Sequence, residues 1–160
     1  MIIAELFSPS RVGAMAERQG IAPNIAFDIK DGWDLMDHEQ RTQAQKIIRE
    51  RRPRLVIGSP PCTKLSAWQH MRAARCTTQA AQEKYDAEYA EAILQVHLCC
   101  TEYEKQIRRG EWFLHEHPYT ASSWRLEKVQ QLLRRNDVYF VKGSMCEYGM
   151  TAHDDAGEAK

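Results

Sequence analysis

Two short blocks hold the residues whose types and spacing could do chemistry. The first is Ser59-Pro60-Pro61-Cys62. Two prolines fix the backbone and remove two N–H donors, so they present Cys62 rigidly. A partly exposed thiol near positive charge ionises more readily, and the thiolate is the nucleophile. Residues 63–82 carry Lys64, Arg72 and Arg75 with no acid, together with Trp68 and His70. A basic loop with an aromatic beside a cysteine suits a polyanion with stackable bases. The opposing reading is a plain turn whose thiol packs quietly, and spacing alone leaves both open. A phosphatase-type loop fails, because the sixth residue after Cys62 is Trp68 rather than Arg, and no CxxC redox pair exists.

The second block is Phe113-Leu114-His115-Glu116-His117-Pro118. An apolar strand delivers Glu116 to its end. A half-buried carboxyl there has a raised pKa and can donate a proton or hydrogen-bond to a base edge. Alternation along a strand places His115 and His117 on the face opposite Glu116. Zinc needs three or four ligands and no other residue nearby has ligand spacing, so no metal site is expected. The histidines read as packing or capping groups.

These blocks need elements to position them. Ile2–Phe7 is a short apolar run broken by Glu5, which suits a strand covered on both faces. Residues 11–19 form a helix with Gly20 as its end signal. Residues 24–29 read as a second strand and 30–34 as a turn. Residues 39–51 are helical, with Ala44, Ile47 and Ile48 on one face and Pro53 as the limit. Leu55–Gly58 is a third buried strand. From Thr77 to Arg109 there is no Pro or Gly, and Tyr85, Tyr89, Ile93, Val96, Cys100, Tyr103 and Ile107 recur at helical spacing. That is a long amphipathic helix closed by Gly110. Residues 111–115 are a fourth strand. Ser122 or Ser123 caps a helix with Leu126, Val129, Leu132 and Leu133 on its apolar face. Residues 138–141 (VYFV) read as a fifth strand.

Strands alternating with helices predict an α/β fold, a three-layer sandwich with a mostly parallel sheet and helices on both faces. In such sheets ligands bind beyond the carboxyl ends of the strands. Phe7-Ser8-Pro9-Ser10, Asp28, Pro60-Pro61-Cys62 and Glu116-His117-Pro118 all follow strands. The chain has 160 residues, 43% hydrophobic and 28% charged, which is ordinary globular composition. It divides into a core over 1–150 and a small polar tail over 151–160 that is expected to be flexible. Lys plus Arg and Asp plus Glu are both 22, so bulk charge cannot hold the protein to nucleic acid and a local patch must. Five cysteines without a regular framework point to a reduced, intracellular setting, cytoplasm or nucleoid or nucleus. No apolar run reaches membrane-spanning length.

The order of these blocks resembles the DNA (cytosine-5) methyltransferases. It rests on Glu5-Leu6-Phe7, on Pro60-Pro61-Cys62 with Ser66 four residues on, and on Glu116-His117-Pro118, and it spans Ile2 to about Gly149. The resemblance implies a Rossmann-like S-adenosylmethionine-dependent methyltransferase core. It implies that Cys62 adds to C6 of a flipped cytosine while Glu116 holds N3 and the amino group. Phe7, Ser8, Pro9, Asp28, Asp34 and Pro60 would border the cofactor, S-adenosylmethionine. Lys64, Ser66, Arg72 and Arg75 would contact nucleic acid. DNA is the expected partner, with RNA as the alternative. The first loop has only the late Gly13 where the family is glycine-rich, and Thr63 and His117 replace the family's usual Gln and Asn. No target-recognition region is recognisable, so a partner subunit or a separate recognition domain is expected to complete the site. A non-catalytic module of the same fold, binding nucleic acid or a partner, is the rival reading.

Overall fold

The computed structural model describes residues 2–66, 78–144, 147, 152–154 and 157–159. Arg72 and Arg75, with Trp68 and His70, lie outside the described residues. The elements run β1 (Ile3–Leu6), α1 (Val12–Arg18), β2 (Asn24–Phe27), α2 (His38–Arg51), β3 (Leu55–Gly58), α3 (Gln79–Arg108), β4 (Trp112–His115) and α4 (Glu127–Leu133). A short hairpin, β5 (Ala152–Asp154) paired antiparallel with β6 (Gly157–Ala159), follows.

β1 to β4 form one all-parallel sheet in the order β2-β1-β3-β4. The architecture is α/β. Alternation along the central strands divides the core in two. Ala4, Leu6 and Val56 join Ala44 and Ile48 of α2, Ala92, Val96, Cys99, Cys100 and Tyr103 of α3, and Val129 and Leu132 of α4. Ile3 and Ile57 turn the other way, against Ala16 of α1 and Ala22. The stripe on α3 is what makes this 30-residue helix the backbone of the larger core.

Local signals set the ends. Asp37 caps α2 by accepting from the Gln40 N–H at 2.9 Å, and Arg52 leaves it in the left-handed region before buried Pro53. Thr78 caps α3 through the Ala81 N–H. Buried Gln106, near the end of α3, donates from Nε2 to the carbonyls of Pro53 and Trp112, at 2.9 and 3.0 Å, so one amide ties the starts of β3 and β4 together.

Two expectations fail. Residues 138–141 are extended but pair with no strand, and Tyr139 and Val141 are 83% and 82% exposed. Their β-branched and aromatic composition favours a strand only where a neighbour covers it. Here Phe140 leans edge-on against Trp124, centroids 5.0 Å apart, and Lys142 sits 4.2 Å over the Tyr119 ring, which draws the segment out of the sheet. The helix expected from Ser122 is broken. A 3-10 turn over Ser122–Arg125 ends at Leu126, which is extended, and α4 starts afresh at Glu127. Both serines are spent on other partners instead of on capping.

Candidate functional site at the carboxyl edge of the sheet

Strand register builds the site. Leu6 stands beside Phe27 and Gly58, and Gly58 stands beside His115. The residues just beyond therefore form a row: Asp28, Phe7, Ser59 and Glu116. Hydrogen bonds carry the row past the strand ends, from Phe7 N–H to the Phe27 carbonyl at 2.9 Å, Ser59 N–H to Leu6 at 3.0 Å, and Glu116 N–H to Gly58 at 3.0 Å. The chain goes from β1 to β2 on one side and returns to β3 on the other, so the strand order reverses between β1 and β3. In open α/β sheets that point is where ligands bind. Phe7 sits there with φ of 55°, a conformation that is strained for a bulky side chain. Such strain concentrates at functional sites.

The first loop is organised by a residue that interrupts an apolar run in the sequence. Glu5 is buried, and its carboxylate accepts the N–H groups of Arg11 (3.1 Å), Val12 (3.3 Å) and Gly13 (2.9 Å) at the start of α1. Ser8, also buried, donates to the Pro9 carbonyl at 3.0 Å. The helix's free N–H groups are thus satisfied from within the chain. A single acid inside an apolar run was the only signal for this role.

Asp28 is half-buried at the end of β2. One of its carboxylate oxygens accepts from the Lys30 N–H at 2.9 Å, and the other has no hydrogen bond among the described residues. Asp34 accepts from the Met36 N–H at 2.8 Å. Trp33 packs edge-on against Phe27 at 5.0 Å and covers this corner.

Cys62 is half-buried at the head of a 3-10 turn, Thr63–Leu65. Its carbonyl accepts from the Leu65 N–H at 3.0 Å. Leu65 is fully buried, and its own carbonyl accepts from Ser122 Oγ at 3.1 Å. Ser66 donates to the Thr63 carbonyl at 3.2 Å, so its hydroxyl serves the turn. Lys64 is paired with Glu88 of α3 at 2.5 Å.

Glu116 is solvent-exposed, where a half-buried carboxyl was expected, because the chain turns away from the core directly after β4. His115 and His117 lie together, centroids 5.6 Å apart, each edge-on to Trp124. His115 Nδ1 is 3.0 Å from the Tyr103 hydroxyl, and His117 Nδ1 meets Ser123 Oγ. Burial, reinforced by the neighbouring His117, pushes His115 down to about 4. Burial also lowers His117, with the Pro60 carbonyl working the other way. Both imidazoles are neutral at pH 7 and act as packing groups. Among the described residues no three His, Cys, Asp or Glu gather as metal ligands.

Beside this edge lies a cleft of about 960 Å³ between β4, α4 and residues 137–143. Glu116 and His117 stand on its wall, with Trp112, Leu114, Trp124 and Phe140. Cys62 does not line it.

The fold and site define an α/β protein with a strained strand end at Phe7 and the Glu116 carboxylate in one row, and with a proline-flanked thiol three residues beyond Ser59. Among the described residues no helix is long and apolar enough to cross a membrane. Comparison with protein families, with characterised proteins and with solved structures finds no match to this chain.

Proposed function

We propose that this chain is a Rossmann-like, cytosine-5 methyltransferase-like core that acts on an extruded cytosine, with DNA as substrate. One observation carries the reading. The ends of β3 and β4 stand in register, joined by the hydrogen bond from Glu116 N–H to the Gly58 carbonyl, so the Cys62 loop and Glu116 leave the same sheet edge. The strand-order reversal and the strained Phe7 sit next to them.

In this reading the Cys62 thiolate adds to C6 of the base. Glu116 hydrogen-bonds N3 and the exocyclic amine and gives N3 a proton, so electron density gathers at C5 rather than on the ring nitrogens. Bound S-adenosylmethionine would supply the electrophilic methyl group that C5 takes. Solvent water then takes the C5 proton, the C6–S bond breaks to release the Cys62 thiolate, and the N3 proton returns to Glu116. Asp28 fits a ribose diol, because one carboxylate oxygen remains outside the Lys30 turn. Phe7, Ser8, Pro9, Asp34 and Pro60 would border the rest of the cofactor. The α1 N–H groups already serve Glu5 and contribute no bond to it. The exposed Glu116 needs the entering base to exclude water from it.

Two measurements test this. Calorimetry with S-adenosylmethionine should give saturable binding that weakens in Asp28→Ala. A duplex carrying 5-fluorocytosine should trap a covalent adduct in the presence of cofactor, and Cys62→Ala should abolish it. Cofactor binding without an adduct would remove Cys62 from the chemistry. No cofactor binding at millimolar concentration would leave a non-catalytic module of this fold, and an adduct formed only on an RNA strand would change the substrate class.

A further inference from the structure

Lys64 is the cation nearest to Cys62 in sequence, and it is already engaged. Its Nζ lies 2.5 Å from Glu88 Oε2, with side chains 27% and 28% exposed. The turn that carries Lys64 does not need this pair for its shape. Leu65 anchors it in the core, Ser122 Oγ holds the Leu65 carbonyl, and the Cys62 carbonyl closes the turn. The ammonium is therefore placed on a fixed backbone, two residues from the thiol, and held sideways against α3 by an acid. A partly exposed pair of this kind is weak, so a second anion can compete for the cation.

We propose that Glu88 gates Lys64: it retains the ammonium in the free protein, and a nucleic-acid phosphate must displace the Glu88 carboxylate to engage it. The inference rests on the reading of the Cys62 edge as a nucleic-acid site and adds to it a control on entry. In the exchange Lys64 turns from a carboxylate to a phosphate, and no bond other than hydrogen bonds and ion pairs is made or broken. Glu88 consequently weakens binding by competing with the phosphate for the cation. It acts through Lys64 and is a positioning residue.

The test uses fluorescence anisotropy with a fluorescein-labelled single-stranded DNA of about twelve nucleotides, titrated at several salt concentrations between roughly 50 and 200 mM. Glu88→Gln should bind roughly 5-fold tighter at the lowest salt. Its salt slope should steepen by about 0.7, the counterion release of one further phosphate contact on a single strand. Glu91→Gln removes an exposed acid one turn along α3 and controls for net charge. It should change affinity less than about 2-fold. In a Lys64→Met background the gain from Glu88→Gln should vanish, because the two side chains act as a unit. Glu88→Ala should move binding in the same direction should the amide variant fold poorly. Equal affinity of Glu88→Gln and wild type, a gain that survives Lys64→Met, or an equal gain in Glu91→Gln would each overturn the gate, as would failure of the variant to bind DNA. Loss of the 5-fluorocytosine adduct reports on the catalytic reading instead, so the two can fail separately.

Discussion

His115 makes the fold acid-sensitive in a defined window. Its ring is enclosed by Tyr103, His117 and Trp124, and burial lowers its pKa to about 4, against about 6.5 in an unfolded chain. The unfolded state therefore binds a proton that the folded state refuses between these two values. Stability is unaffected by this group above pH 6.5, falls as pH drops below it, and levels off below the folded value. The loss is about 2 kcal/mol between pH 7 and pH 5 and about 3 kcal/mol by pH 4. The perturbation is His115→Gln, which does not titrate and can still accept from the Tyr103 hydroxyl. Urea unfolding, followed by tryptophan fluorescence at half-unit steps from pH 7.5 to about pH 4.5, gives stability against pH for both proteins. Carboxylates titrate in both alike, so the difference between the two curves isolates the imidazole. His117 packs against His115, so both curves are measured in a His117→Gln background. Parallel curves, with no excess loss below pH 6.5 in the protein that keeps His115, would refute the argument that His115 is held neutral by its surroundings.

Other perturbations have equally definite outcomes. Glu5→Gln weakens the carboxylate's bonds to three N–H groups of α1, and urea unfolding should show a loss of about 2 kcal/mol. A Cβ at Gly58 would collide with the Tyr103 hydroxyl and stand 2.9 Å from Cys99 Sγ, so Gly58→Ala should lower stability by about 2 kcal/mol. Adding Tyr103→Phe to that variant should restore part of its Tm, because the colliding oxygen is gone. Alkylation mapped by mass spectrometry should mark Cys62 in the folded protein and spare Cys99 and Cys100. Both of the latter are buried with thiols pushed up, Cys100 to about 12, and they should react only after unfolding.

The sequence discloses those elements whose side chains settle their own surroundings. Leu55–Gly58 is apolar throughout and is a strand buried in the middle of the sheet, with the limits read from its composition. The stripe from Tyr85 to Ile107 is a single helix, and its buried members Val96, Cys100 and Tyr103 face the core. The row of Phe7, Asp28, Ser59 and Glu116 follows from placing parallel strands side by side. What stays hidden depends on contacts that local composition does not name. Residues 138–141 have strand composition but no neighbour to pair with. Ser122 and Ser123 look like helix caps, yet one hydroxyl reaches the Leu65 carbonyl and the other reaches His117. Glu5 looks like a flaw in a strand, yet it organises the loop that follows. The exposure of Glu116 turns on the path of the chain after β4, which no local pattern encodes. Lys64 reads as a free cation, because its partner Glu88 is on another element.

The outer margin of β4 has a bearing on how this protein behaves in bulk. Among the described residues it is the last strand of its sheet, and its own Trp112 and Leu114 are 58% and 49% exposed. A sheet margin flanked by oily side chains invites other chains to stack upon it. With no net charge to keep molecules apart, concentrated solutions near neutral pH should cloud, and turbidity should clear in Leu114→Lys. Handling at moderate ionic strength will not help as it would for a charge-driven aggregate, since the attraction along this seam is apolar and salt strengthens it.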